Sequence, residues 1–160
     1  MAPVTEFDAT LKELVADMIA TMRAAPGVGL AANQIGVDRQ LVVIGMPSQE
    51  ERQEPLVLVN PAILRGEGSQ TDEEGCLSLL DFTANIKRFY KIWVRCQDVE
   101  GQACEFEAED MLARIIQHEV DHLDGILCLD RVSAIKRALY KKKRKKQLEE
   151  EALSEGKRET

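Results

Sequence analysis

Gln117-His118-Glu119-Val120-Asp121-His122 restricts what this chain can fold into more than any other stretch. It has the form H-E-x-x-H. On a helix, residues four apart share a face, so the two imidazoles can reach a single metal ion. Glu119 directly follows the first ligand and stands where a carboxylate can carry a proton to or from water at that metal. These are the only 2 histidines in the chain. Taken singly, each is explained equally well as a hydrogen-bonded structural histidine. As a pair enclosing Glu119 they favour a metal site, and that reading constrains the fold. A catalytic site of this kind takes three protein ligands and keeps a position open, so another segment must bring a third donor to the helix.

At 160 residues one domain is expected, large enough to bury a core without disulfides. No apolar run approaches the roughly 20 residues of a membrane span, and the start lacks a basic-then-apolar leader pattern. The expectation is a cytoplasmic protein with no membrane partner. Cys76, Cys96, Cys104 and Cys128 form no C-x-x-C pair, which argues against a zinc finger or a redox dithiol of that type and leaves thiols in a reducing compartment. The net charge of -7 conceals an asymmetry. Residues 1–135 carry 11 basic against 23 acidic groups, whereas 136–147 carry 8 basic and none acidic. An acidic body is a poor nucleic-acid surface, but the basic segment is compatible with a polyanion.

Leu11, Leu14, Val15, Met18, Ile19 and Met22 recur at helical spacing behind two candidate caps, Asp8 and Thr10, and Pro26-Gly27 ends the run. The Gly-Ala-rich stretch 27–36 has too few of the right residues for a phosphate loop. Its glycines let backbone approach a ligand closely, with Gln34 the nearest side-chain hydrogen-bond donor; an ordinary helix-to-strand connection is the plainer reading. Short buried strands are expected over 40–44 and 56–59, with a polar loop over 47–54 between them. Turns are expected at Asn60-Pro61 and over 66–69. Ile86, Tyr90, Ile92, Val94 and Cys96 alternate with polar residues as one long strand, which a turn over 98–101 joins to a strand over 103–108. Cys96 and Cys104 read as small core residues. Glu109 and Asp110 open the H-E-x-x-H helix, Gly125 closes it, and a last helix starts near Ser133 and runs into six consecutive cations.

Two cysteines compete for the third ligand position. Cys128 stands where metzincin peptidases carry a third histidine, but no methionine follows the helix to form that family's Met turn. Cys76 follows Asp72-Glu73-Glu74-Gly75, and its apolar right-hand flank is not explained by a solvated acidic turn; as a thiolate it is a strong ligand for zinc or ferrous iron.

Three ordered motifs, G-V-G-L-A-A-N-Q over 27–34, E-G-C-L-S over 74–78 and Q-H-E-V-D-H over 117–122, resemble the signatures of peptide deformylase. The resemblance implies an α+β fold with antiparallel sheets packed around a central helix bearing H-E-x-x-H, plus a C-terminal helix. It implies a catalytic domain over 1–140 and a charged tail over 141–160. It also implies removal of the formyl group from the initiator formylmethionine of nascent polypeptides, with release of formate. Cys76, His118 and His122 would hold one divalent metal, Fe2+ natively with Zn2+, Ni2+ or Co2+ accepted. Glu119 would act as base and acid, and Gln34 with the Leu77 backbone N–H as oxyanion donors. Val28, Gly29, Glu74, Met111 and Ile115 are expected on the substrate side, with Glu74 paired to Arg88. Arg114 and Leu79-Leu80 depart from the residues usual in that family. A monomer is expected, and Lys141, Lys142, Lys143, Arg144, Lys145 and Lys146 suit docking on the ribosome. The readings set against this one are a zinc metalloprotease-like peptidase and a non-catalytic ribosome-associated protein that retains the metal site.

Overall fold

The computed structural model describes residues 1–24, 27–45, 54–76 and 79–158, with residues 76, 79–82 and 157–158 described by backbone alone. Helix α1 (Ala9–Ala24) buries Leu11, Val15, Met18 and Met22, one apolar stripe at spacings of three and four. Asp8, rather than Thr10, supplies its cap: the carboxylate accepts the Leu11 N–H at 3.0 Å. Strands β1 (Gly29–Ala31), β2 (Leu41–Ile44), β3 (Leu56–Glu67), β6 (Lys91–Gln97) and β7 (Ala103–Glu109) form a five-stranded antiparallel sheet in the order β1-β2-β3-β6-β7. Strands β4 (Gln70–Cys76) and β5 (Leu79–Arg88) form a separate hairpin.

Alternation along β2 explains why four consecutive apolar residues are all buried. Leu41 and Val43 face a cluster built with α1, whereas Val42 and Ile44 face a second cluster built with Ile115, Ile116 and Leu123 of helix α2 (Asp110–Leu123). The sheet therefore has a helix on each face, and each fully buried aliphatic side chain contributes about 1.5–3 kcal/mol. Helix α2 is in turn covered from its other side by the β4–β5 hairpin, whose Ile86 carbonyl accepts from the Arg114 guanidinium at 3.2 Å. The arrangement is the α+β architecture expected, with the H-E-x-x-H helix at its centre.

Three expectations about the strands change. Asn60-Pro61 does not end β3 but forms a bulge within it, with Asn60 at φ 50 and a register shift between Val59 and Ala62. The Asn60 side chain exchanges hydrogen bonds with the Val4 backbone and donates to Gln97, each at 2.8 Å, so the residue works as an anchor for the N-terminal segment. The single strand expected across 86–96 is two strands in different sheets. The chain breaks at Phe89, whose backbone N–H and carbonyl are both taken by the Gln117 side chain of α2, at 3.0 and 2.9 Å. Of the two strand cysteines, Cys96 is a core residue but Cys104 is exposed. The loop expected over 47–54 lies outside the described residues except for Glu54.

Gly125, at φ 76, turns the chain after α2. A 3-10 turn (Cys128–Arg131) leads to α3 (Ala134–Arg158), which carries the basic block as helix. Ser133 caps it by accepting the Lys136 N–H at 3.2 Å. Among the described residues, no helix is long and apolar enough to cross a membrane.

Candidate metal centre

The helical spacing of His118 and His122 places their Nε2 atoms 3.1 Å apart, with the rings edge to face at 80°. Two nitrogens on one tetrahedral ion, each at 2.0–2.1 Å, would lie about 3.3 Å apart, so the pair already has nearly the separation that a shared metal requires. His118 Nδ1 lies 2.8 Å from Glu74 Oε1. A carboxylate accepting from Nδ1–H leaves the lone pair on Nε2, the nitrogen facing His122, and the carboxylate–imidazole pair fixes the ring's orientation as in many metal sites. Both imidazoles are largely withdrawn from water, with side-chain exposure of 13% for His118 and residue exposure of 2% for His122. The donors and their geometry thus fit a divalent metal.

Glu74 is the hub beneath this pair. Arg88 binds it through Nε at 2.8 Å and Nη2 at 2.9 Å, and extends Nη1 to Asp121 at 2.8 Å. Asp121 is closed from outside by Arg131, whose Nη2 lies 2.6 Å away. Arg114, one turn before His118, also clamps Glu74 through Nη1. Burial by itself would raise the Glu74 carboxyl; hydrogen bonds from His118 and Arg88, with the charge of Arg88, outweigh it and bring the pKa down from 4.5 to about 2. A carboxyl depressed in the folded state stabilises fully above its unfolded pKa near 4.5, and that contribution is lost as pH falls toward 2. The difference corresponds to about 3 kcal/mol. Metal-free Glu74→Gln is therefore expected to lose about 3 kcal/mol in denaturant unfolding at pH 7, with the gap to the parent protein closing as pH drops through 4 toward 2. A gap of constant size down to pH 3 would contradict this role.

Glu119 lies on the neighbouring flank of α2, 4% exposed, against Gly29. A Cβ built on Gly29 would fall 2.8 Å from Glu119 Oε1 and 2.9 Å from its Cγ, so the carboxylate occupies the space that glycine leaves. Gly29 belongs to β1, an edge strand whose described partner is β2 alone. The 3-10 turn Ala32–Ile35 follows, and Asn33 Nδ2 donates to the His122 carbonyl, tying the first motif to the third. Gln34 Oε1 accepts the Ala31 N–H at 2.9 Å, which sets the direction of its amide.

The structure thus gathers His118, His122, Glu119, Glu74, Gly29 and Gln34 around one end of β1 and one face of α2. Glu74, expected on the substrate side, points inward to His118 and the two arginines. Val28 and Met111 are exposed at 39% and 49%, while Ile115 is buried in the cluster between sheet and helix. The side chain of Cys76 and all of Leu77 lie outside the described residues; the Cys76 backbone pairs with Leu79 at the end of the hairpin. Cys128 is buried with Sγ 3.4 Å from His118 Nδ1. It therefore stands at the ring edge that faces Glu74, not at the edge that faces His122. Sequence reasoning did not find the clamp by Arg114 or the Asp121–Arg131 closure. A buried arginine among apolar helix neighbours was the one available signal.

A helix-borne imidazole pair with an adjacent buried carboxylate, set between two antiparallel sheets, defines a metal-dependent hydrolase. The model of the polypeptide deformylase family matches residues 1–138, and the chain belongs to that family, which removes N-formyl groups from nascent peptides. It is 51% identical over 144 residues to the peptide deformylase of Desulfotalea psychrophila, covering 89% of this chain and 85% of that one. The peptide deformylase of Acidobacterium capsulatum is 48% identical over 137 residues, covering 86% and 81% respectively. The crystal structure of a peptide deformylase from Legionella pneumophila superposes with a TM-score of 0.84 at 40% identity, covering 94% of this chain and 88% of that one. A peptide deformylase from Synechococcus elongatus in complex with actinonin superposes with a TM-score of 0.80 at 40% identity, covering 83% and 73%.

Proposed function

We propose that this chain removes the formyl group from the N-terminal formylmethionine of newly made polypeptides, releasing formate. The observation that carries the reading is the convergence of His118 and His122 Nε2 at 3.1 Å, with the Glu119 carboxylate seated against edge strand β1. Cys76 joins the two histidines as ligands of one divalent ion, with Fe2+ as the native metal and Zn2+, Ni2+ or Co2+ as substitutes. A thiolate with two imidazoles is a donor set that suits these metals. When bound, such an ion supplies a Lewis acid that acidifies water and polarises the formyl oxygen.

The remaining work falls to the chain's own groups. Glu119 takes a proton from the attacking water and returns it to the departing amine nitrogen. The Gln34 amide and the Leu77 N–H hold the oxygen that turns negative when the formyl carbon becomes tetrahedral. Because β1 lies at the edge of its sheet, the substrate backbone adds there as a further strand along Val28 and Gly29. Val28, Met111 and Ile115 receive the methionine side chain. Glu74, through Nδ1, holds the His118 ring so that Nε2 stays presented. Formate release from a formyl-methionyl peptide by protein loaded anaerobically with Fe2+ tests the whole reading. Metal-bound protein that yields no formate would overturn it.

Residues 1–140 form the catalytic domain in this reading and 141–160 a charged tail; the enzyme works in the cytoplasm as a monomer. The run of six cations on α3, five of them exposed and Arg144 half-buried, supports docking on ribosomal RNA at the source of nascent chains. Six phosphate contacts would weaken binding about 10³-fold between 50 and 200 mM salt. Changing all six cations to glutamine is expected to abolish that salt-sensitive binding in ribosome co-sedimentation, while formate release from a short free peptide is unchanged.

A further inference from the structure

Strands β6 and β7 bring Cys96 and Cys104 directly opposite each other. The ladder continues past the hairpin turn with Asp98 N–H donating to the Gln102 carbonyl, and at its other end Asp110 N–H donates to the Tyr90 carbonyl. Bonded pairs therefore fall at even positions along β6, and Cys96–Cys104 is one of them. Opposed residues of this kind have Cα atoms about 5.5 Å apart, within the range that a disulfide spans. The two Sγ atoms lie 3.0 Å apart. Two thiolates on one zinc-type ion would stand about 3.8 Å apart, whereas a disulfide brings the sulfurs to about 2.05 Å. A contact already shorter than the chelate spacing favours bond formation over metal capture.

The two thiols differ in access. Cys96 is 2% exposed and packs in the cluster that seats α2, with Ile92, Val94, Ile115 and Ile116. Cys104 is exposed on the outer strand. Burial, then the adjoining Cys104 thiol, pushes the Cys96 thiol up to about 12, so Cys96 stays protonated while Cys104 meets reagents from solution.

We infer that Cys96 and Cys104 form a dithiol site, separate from the metal ligands, that is oxidised to a cross-strand disulfide by low-molecular-weight disulfides. The Cys104 thiolate attacks one sulfur of the small disulfide; a mixed disulfide forms as the original S–S bond breaks, and one small thiolate leaves. Cys96 gives up its proton to that thiolate through solvent, and its sulfur attacks Cys104 Sγ. The second small thiolate leaves and is protonated. Two electrons pass from the protein to the oxidant, and the products are one protein disulfide and two small thiols. The new bond staples β6 to β7, the strand that feeds directly into α2.

The test uses the full chain loaded with zinc, treated with oxidised glutathione in native buffer, then alkylated and mapped by peptide mass. Expected is a fragment joining Cys96 to Cys104, lighter by two hydrogens than its separated reduced peptides and released by dithiothreitol. With Cys96→Ser the reaction stops at a glutathione adduct on Cys104, and with Cys104→Ser neither strand position reacts. The stapled protein is expected to melt about 5 °C higher than the reduced one. An adduct that persists on Cys104 while Cys96 is intact, an unreactive Cys104, or a link that instead engages Cys76 or Cys128 would each overturn the inference. An unchanged or lower melting temperature of the linked protein would overturn the staple.

Discussion

Replacing Glu119 with alanine is expected to lower the rate of formate release by about 10⁴-fold while the protein keeps its metal. The upper end of the usual range for acid–base catalysis applies because in the proposed mechanism one carboxylate serves twice, first taking the water's proton and then delivering it to the amine. The expectation also depends on seclusion. Glu119 is 4% exposed, so bulk water is a poor replacement for it as a proton carrier. Glu119→Gln, which keeps the volume and removes the basicity, should behave alike. Gly29→Ala approaches the same group from β1: a methyl 2.8 Å from Oε1 must displace the carboxylate, and a loss of about tenfold in turnover with normal metal content is expected. Metal analysis alongside kcat separates these outcomes from simple loss of the site. Turnover by Glu119→Ala within tenfold of the parent enzyme would remove this residue from the mechanism.

What could be read from the sequence divides according to whether the signal is local. The H-E-x-x-H helix declares itself because spacing four on a 3.6-residue period fixes both the face and the partner, independent of the rest of the chain. Strand β2 is legible for a similar reason: four apolar residues in a row need cover on both faces, and α1 and α2 provide it. The partition of 86–96 between two sheets is not local. Its alternation continues in phase across Phe89, and the break comes from Gln117, 28 residues away, capturing the Phe89 backbone. Asn60-Pro61 carries a turn signal that is real but is spent inside a strand, because a bulge uses the same positive φ and missing N–H that a turn does. The clamp on Glu74 was half visible. Arg88 follows from the family resemblance, but Arg114 satisfies the same carboxylate from a helix position where an apolar residue would pack equally well by pattern. A buried arginine and a buried glutamate read separately are anomalies; only the fold shows that they cancel.

The third ligand is settled by comparing two cysteine variants, and the expected asymmetry between them is large. Cys76→Ser should leave metal occupancy well below one equivalent and cut formate release by about 10³-fold or more, since serine is a far poorer donor than a thiolate to Fe2+ or Zn2+. In cobalt-loaded protein the sulfur-to-metal charge-transfer band should vanish with it. Cys128→Ser should keep the band, the metal and activity within about threefold, because its effect is limited to a buried contact. The reason lies in which edge of His118 the Cys128 thiol can serve. Cys128 Sγ is 3.4 Å from Nδ1, and Glu74, His118 and Cys128 do offer ligand atoms within 4.8 Å of one another. Using that group would require Glu74 to give up its ion pairs with Arg88 and Arg114, and breaking a buried pair costs about 3–5 kcal/mol. It would also bind metal at Nδ1 and waste the Nε2 atoms that already stand 3.1 Å apart. A metal held at Nε2 of both histidines leaves the Glu74 clamp intact, so in the proposed centre the sulfur comes from a segment other than the one that places Cys128 at Nδ1. If Cys128→Ser instead strips the metal and Cys76→Ser retains it, the centre must be rebuilt around Nδ1, and Glu74 becomes a ligand rather than a support.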